Sequence, residues 1–139
     1  MKFFVTKFFV TNIFVMFCCQ LSETFTHCHP YYTQQLGYYC YDYLESNPYH
    51  KQMLSEVIQH IIELHDNDYD RLWNTLNKTD KRVLVALATD RGVQDIELPT
   101  STVYSSLKRL AVQGYLIKNE TYLFDDPFFK EWITGKRSF

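Results

Sequence analysis

The chain has 139 residues, enough for one ordinary domain or two small units sharing a core, and too few for a complete nucleotide-driven machine. Its 14 basic and 16 acidic side chains leave a formal charge of −2, so composition announces no strongly charged partner. The balance is uneven: residues 1–69 hold three Lys and seven Asp or Glu, whereas residues 70–139 hold eleven basic and nine acidic residues, a weak positive field that can assist a nucleic-acid contact.

Residues 3–19, FFVTKFFVTNIFVMFCC, are apolar at 13 of 17 positions. A bilayer span needs about 20 uninterrupted apolar residues, and Lys7 and Asn12 interrupt this run. A cleaved signal needs small residues at the cut, and no Ala precedes Ala86. The pentapeptide KFFVT occurs twice, at 2–6 and 7–11, in residues that AT-rich codons encode. The expectation is a start created by a truncated or shifted reading frame, with a targeting or anchoring segment and a strand of a lost neighbouring domain as alternatives. Cysteines at 18, 19, 28 and 40 show no disulfide-framework spacing, which points to a reduced, cytoplasmic chain with no membrane partner favoured. Asn77-Lys78-Thr79 and Asn119-Glu120-Thr121 match the glycosylation triplet but read more simply as turn or cap residues.

After this apolar segment (1–21), two regions follow, at 22–66 and 67–139. Pro30 suits the first turn of a helix whose Tyr32, Leu36, Tyr39 and Tyr43 recur at helical spacing as one buried stripe. Ser46-Asn47-Pro48 closes it and opens a second helix, with Asn47 as N-cap, Pro48 at N1, and Leu54, Val57, Ile58, Ile61, Ile62 and His65 on one face. These two helices form a hairpin. Asn67 or Asp68 caps a third helix carrying Tyr69, Leu72, Trp73 and Leu76. Asn77 or Thr79 caps a fourth, with Val83, Leu84 and Leu87 inward and Gly92 just past its end. After a link at 90–99 comes a helix capped at Thr100 or Ser101, with Val103, Leu107 and Leu110 inward and Gly114 as its stop. YLIKNETYLF then changes period around Asn119-Glu120, where Asn tolerates positive φ, and predicts a tight β-hairpin. Asp126-Pro127 starts a last helix whose Phe128, Phe129, Trp132 and Ile133 cover the hairpin. The fold class is mainly α: a helical hairpin followed by a winged helix-turn-helix with a two-stranded wing.

Trp73 with Leu76, the helix–link–helix module ending at Gly114-Tyr115-Leu116-Ile117, and Asp126-Pro127-Phe128-Phe129 with Trp132 together resemble the C-terminal end of archaeal and bacterial P-loop ATPases of the AAA+/STAND type. His29-Pro30-Tyr31-Tyr32-Thr33-Gln34-Gln35-Leu36 is similar to the segment that opens their helical lid. The resemblance spans about residues 22–134. It implies a lid that closes over nucleotide and reports its state, partnered by the missing P-loop domain or another protein, with ATP and Mg²⁺ held by the intact family. By the same resemblance Pro30 and His29 lie near the adenine base, although Cys28 stands where those relatives have Gly. The chain's four glycines, at 37, 92, 114 and 135, form no Walker loop, so no nucleotide is expected to bind this chain alone and no ATP turnover is expected from it.

Other chemistry is weaker. His27, Cys28, His29 and Cys40, with Cys18 and Cys19, offer tetrahedral Zn²⁺ donors, but no chelate spacing fixes them, and no metal is expected. A tyrosine cage for a cation is set aside because helical tyrosines three and four apart are usually core. His60 and His65 read as helix-face residues. Ser101, Ser105 and Ser106 lack a partnering His or nucleophile elbow, and Asp125 and Asp126 read as an N-cap pair, so no catalytic residues are expected. The alternative function is a free-standing winged-helix regulator. Its DNA face would comprise Thr100, Ser101, Thr102, Ser105 and Lys108, with Tyr104 and Arg109 beside them. Asp95 and Glu97 in the link would oppose a polyanion.

Overall fold

The computed structural model describes residues 25–27 and 29–137. The expectations for the apolar run at 1–21 and for Cys18, Cys19 and Cys28 lie outside them. The chain divides into two compact units, Met1–Glu63 and Leu64–Phe139. Six α-helices and one two-stranded antiparallel hairpin make up the regular structure of the described residues. The mainly-α class with a small hairpin is as expected.

In the first unit, α1 (Pro30–Ser46) begins with Pro30 in its first turn, and α2 covers Met53–Leu64. Tyr39 meets the ring of His60, and Tyr43 donates to Glu56 Oε2 at 2.8 Å. The partners ascend in one helix as they descend in the other, so the helices run antiparallel. With its proton given to Glu56, the Tyr43 oxygen accepts from His50 Nε2 at 2.9 Å. This bond holds His50 in the turn ahead of α2. Asn47 is therefore not the N-cap of α2: its backbone N–H and its Nδ2 both reach the Tyr43 carbonyl, at 2.9 and 3.1 Å, and close α1. The expected tyrosine stripe is also corrected. Leu36 and Cys40 are the buried side chains of α1, whereas Tyr32, Tyr39 and Tyr43 are half-buried at its margin. A phenol can cover a core with its ring while its hydroxyl stays near polar partners. On α2 the buried face is Met53, Val57, Ile61 and Ile62, the three- and four-residue spacing of an amphipathic helix.

The second unit contains α3 (Asp66–Thr75), α4 (Lys78–Ala88), a 3₁₀ turn at Val93–Asp95, α5 (Thr100–Val112), β1 (Leu116–Lys118), β2 (Tyr122–Phe124) and α6 (Pro127–Arg137). Helix α4 packs on α5 and α6, and the hairpin packs on α5 through β1 and on α6 through β2. The core gathers Trp73 from α3, Val83 and Leu84 from α4, Val103, Leu107 and Leu110 from α5, and Phe128, Phe129, Trp132 and Ile133 from α6. Leu116 and Phe124, opposite each other in the hairpin, are both buried.

Helix ends explain most of the boundaries. Asn77 caps α4 as expected, its Oδ1 accepting from the Asp80 amide at 2.9 Å. Asp126 caps α6, its Oδ1 accepting from the Phe128 and Phe129 amides at 2.8 and 3.2 Å, with Pro127 at N1. Gly114, at φ 83°, ends α5 in a Schellman arrangement: its amide bonds the Ala111 carbonyl and the Tyr115 amide bonds the Leu110 carbonyl. Helix α3 begins at Asp66, earlier than the cap expected at Asn67 or Asp68. Asp66 Oδ1 accepts from Trp132 Nε1 at 2.7 Å and also meets Lys136, long-range bonds that no local pattern displays.

The tight hairpin forms and Gly92 lies past the end of α4 as expected, but the backbone at both turns differs in detail. Asn119 has no positive φ, because the strands are joined by three residues, Asn119 to Thr121, closed by an Asn119 N–H to Thr121 carbonyl bond of 3.0 Å. Beyond α4 the left-handed residue is Asp90, at φ 52°, while Gly92 sits at φ −56°. A Cβ in this region costs energy that glycine avoids. Asp90 pairs with Lys130 at 3.5 Å, but Asp90 is largely solvent-exposed, so loss of that pair costs little. Asp90→Gly is expected to raise stability by about 1 kcal/mol, read as a higher urea midpoint with an unchanged denaturant slope.

Candidate functional site

The face proposed from sequence for DNA runs along α5. Thr100, Ser101, Tyr104, Ser105, Lys108 and Arg109 are exposed and Thr102 is half-buried, so all seven named side chains reach the surface as anticipated. Ser105 Oγ is turned inward to the Ser101 carbonyl at 2.9 Å, a local bond that competes with any outside partner.

Arg109 also has a partner within the chain. Its Nε donates to Asp80 Oδ2 at 3.0 Å and its NH2 donates to Oδ1 at 2.5 Å, the two-pronged geometry that guanidinium and carboxylate share. Asp80 is only 3% exposed at its side chain and also accepts from Ser106 Oγ and from Asn77 Nδ2, the latter at 2.8 Å. Burial pushes the Asp80 carboxyl upward, but Arg109, Ser106 and Asn77 together outweigh it and hold the group below its ordinary value. The network ties the first turn of α4 to α5 and engages the Nε and NH2 of the single guanidinium of α5, whose side chain stays 43% exposed. Sequence reading missed it. The available signal was Asp80 three residues after the cap Asn77, an acidic echo of a capping box.

Between α5 and the wing lies a groove of about 580 Å³. Tyr104, Lys108, Ala111 and Val112 line it from α5, Leu116, Ile117 and Lys118 from β1, Tyr122 from β2, and Gly114 and Asp125 complete the lining. Val112 is 82% exposed and Tyr104 57% exposed, and Ile117 is exposed beside them. Its charges are the cations of Lys108 and Lys118 and the carboxylate of Asp125. The Lys118 ammonium lies 5.9 Å over the Tyr122 ring, so part of its field is spent locally. The surface is thus mainly apolar and aromatic with a light, mixed rim. Val112 and Ile117 were not foreseen as functional, since each belongs to a segment read for its inward face.

The remaining expected sites are less built. Pro30 is exposed at the start of α1, and the His29 ring lies 4.6 Å from that of Tyr32. Among the described residues no group of three or more His, Cys, Asp or Glu is placed to hold a metal ion. No helix among them is long and apolar enough to cross a membrane. Comparisons with protein families, curated proteins and solved structures give no match for this chain.

Proposed function

We propose that this chain is a non-catalytic module that works by protein contact, in the manner of the lid and winged-helix end of an ATP-binding AAA+/STAND-like ATPase. Its partner is a P-loop domain or another protein, which supplies any ATP and Mg²⁺ site. The observation that carries this reading is the groove beside α5: exposed Tyr104, Val112 and Ile117 present apolar surface where a DNA-reading helix would present cations. Clustered exposed apolar groups favour a protein surface over a polyanion.

The second reading, DNA binding, is favoured by the exposed hydroxyls of Thr100 and Ser101 with Lys108 and Lys118 nearby. The two readings separate in a titration of fluorescent duplex DNA at low and rising salt. The protein-contact reading expects no saturable binding at 50 mM salt, by the order of magnitude at which phosphate contacts are strong. Saturable binding that falls steeply with salt and is lost in Lys108→Ala would instead establish the DNA reading.

A further inference from the structure

The first unit carries a surface that the sequence did not lead one to expect. At 100° per residue, Tyr31, Gln34, Tyr38, Tyr41, Asp42 and Glu45 fall on one side of α1, opposite the buried Leu36 and Cys40. All six are exposed, with Tyr31 at 62% and Tyr38 at 66%. The expected buried stripe named Tyr32, Tyr39 and Tyr43, and Tyr31, Tyr38 and Tyr41 lie outside it, facing solvent. The stripe spans about 20 Å at the helical rise of 1.5 Å per residue.

Its chemistry is one-sided. Helix α1 contains no Lys or Arg, and between residues 25 and 63 Lys51 is the sole basic residue, against Asp42, Glu45, Glu56 and Glu63. Glu45 follows Tyr41 by one helical turn, and its carboxylate, through hydrogen bonding and charge, raises the Tyr41 phenol above its ordinary value. Aromatic faces interleaved with carboxylates attract a planar cation twice, through the ring quadrupole and through charge. A guanidinium exploits both, whereas an ammonium neither stacks nor forks. An anionic surface, whether nucleic acid or lipid, is disfavoured by the same carboxylates.

We propose that the exposed tyrosine and carboxylate face of α1 docks an arginine-rich segment of a partner protein. Guanidinium groups lie on Tyr31 and Tyr38, and the carboxylates of Asp42 and Glu45 fix the end of the segment. The rings lie two helical turns apart, so an extended segment places an arginine on each without bending sharply.

The test is calorimetric titration of the full chain with a peptide of alternating arginine and glycine, and with its lysine counterpart. Circular dichroism of each variant confirms that the exposed substitutions leave the helix intact. The arginine peptide is expected to bind more tightly than the lysine peptide. Affinity should fall about tenfold in Tyr31→Ala/Tyr38→Ala, at about threefold per exposed ring, and stay near wild type in Tyr31→Phe/Tyr38→Phe, which keeps both quadrupoles. Asp42→Asn/Glu45→Gln should weaken binding and flatten its salt dependence. Equal affinity for the two peptides, or an unchanged constant in the alanine pair, overturns the proposal. So does sedimentation showing that the chain self-associates through this face, with dimers lost in Tyr38→Ala, because the occupant is then a second copy. Binding of anionic lipid vesicles that is lost in the alanine pair overturns it as well.

Discussion

Replacing Trp132 by alanine is expected to remove about 4 kcal/mol from the second unit, the range for deleting a buried aromatic. Trp132 is the largest fully buried side chain among the described residues. Its ring stacks on Phe129 at 5.8 Å and meets Trp73 edge-on at 6.1 Å, while its Nε1 donates to Asp66 at 2.7 Å. Alanine would leave a large cavity, strand the Asp66 carboxylate without its indole donor, and loosen the contact between α3 and α6. A domain of this size holds roughly 5–15 kcal/mol in all, so the variant should unfold at a far lower urea concentration. Trp132→Phe separates the two contributions. It fills much of the cavity and loses only the N–H, so its cost should be about 1–2 kcal/mol. Equal midpoints for wild type and Trp132→Ala would refute this account of the core.

The second large effect concerns Asp80. Asp80→Ala is expected to cost about 3 kcal/mol, because it strips one member of a buried charge pair together with a helix-capping interaction. Arg109 is partly exposed and can regain water, which keeps the cost at the lower end. The pH dependence follows from the direction of the shift. The folded-state pKa is depressed, so the stabilising contribution is complete above the unfolded carboxylate value, about 4, and is lost as pH falls through the lower folded value. Wild type should therefore lose stability on acidification below pH about 4 more steeply than Asp80→Ala, as measured by urea midpoints across that range. Parallel curves would show that the carboxylate is not held low.

How these features looked from the sequence depends on the range of the interactions that make them. The caps at Asn77 and Asp126 and the stop at Gly114 were legible because a cap joins groups only a few residues apart. The inward faces of α4 and α5 were legible because burial there follows helical period. The start of α3 was not, since Asp66 answers to Trp132 and Lys136, 66 and 70 positions away. Asn47 was misread because the same amide residue can close one helix or open the next, and His50, held by Tyr43, decided between them. At the candidate site, the exposed polar face of α5 was read correctly residue by residue. The capture of Arg109 was not, because it depends on a carboxylate 29 positions earlier. The tyrosines of α1 show the limit of periodicity: it groups residues onto faces, but with eight aromatic or aliphatic side chains around one helix it does not say which face is inside.

The central claim is that the groove between α5 and the wing is a protein-contact surface, and crosslinking from its most exposed wall tests it most directly. A photoreactive amino acid at Val112, activated in the cell of origin, is expected to crosslink a protein that carries a P-loop nucleotide-binding domain, and to lose that product when Ile117→Asp is added. Crosslinks to nucleic acid in place of protein would contradict the account.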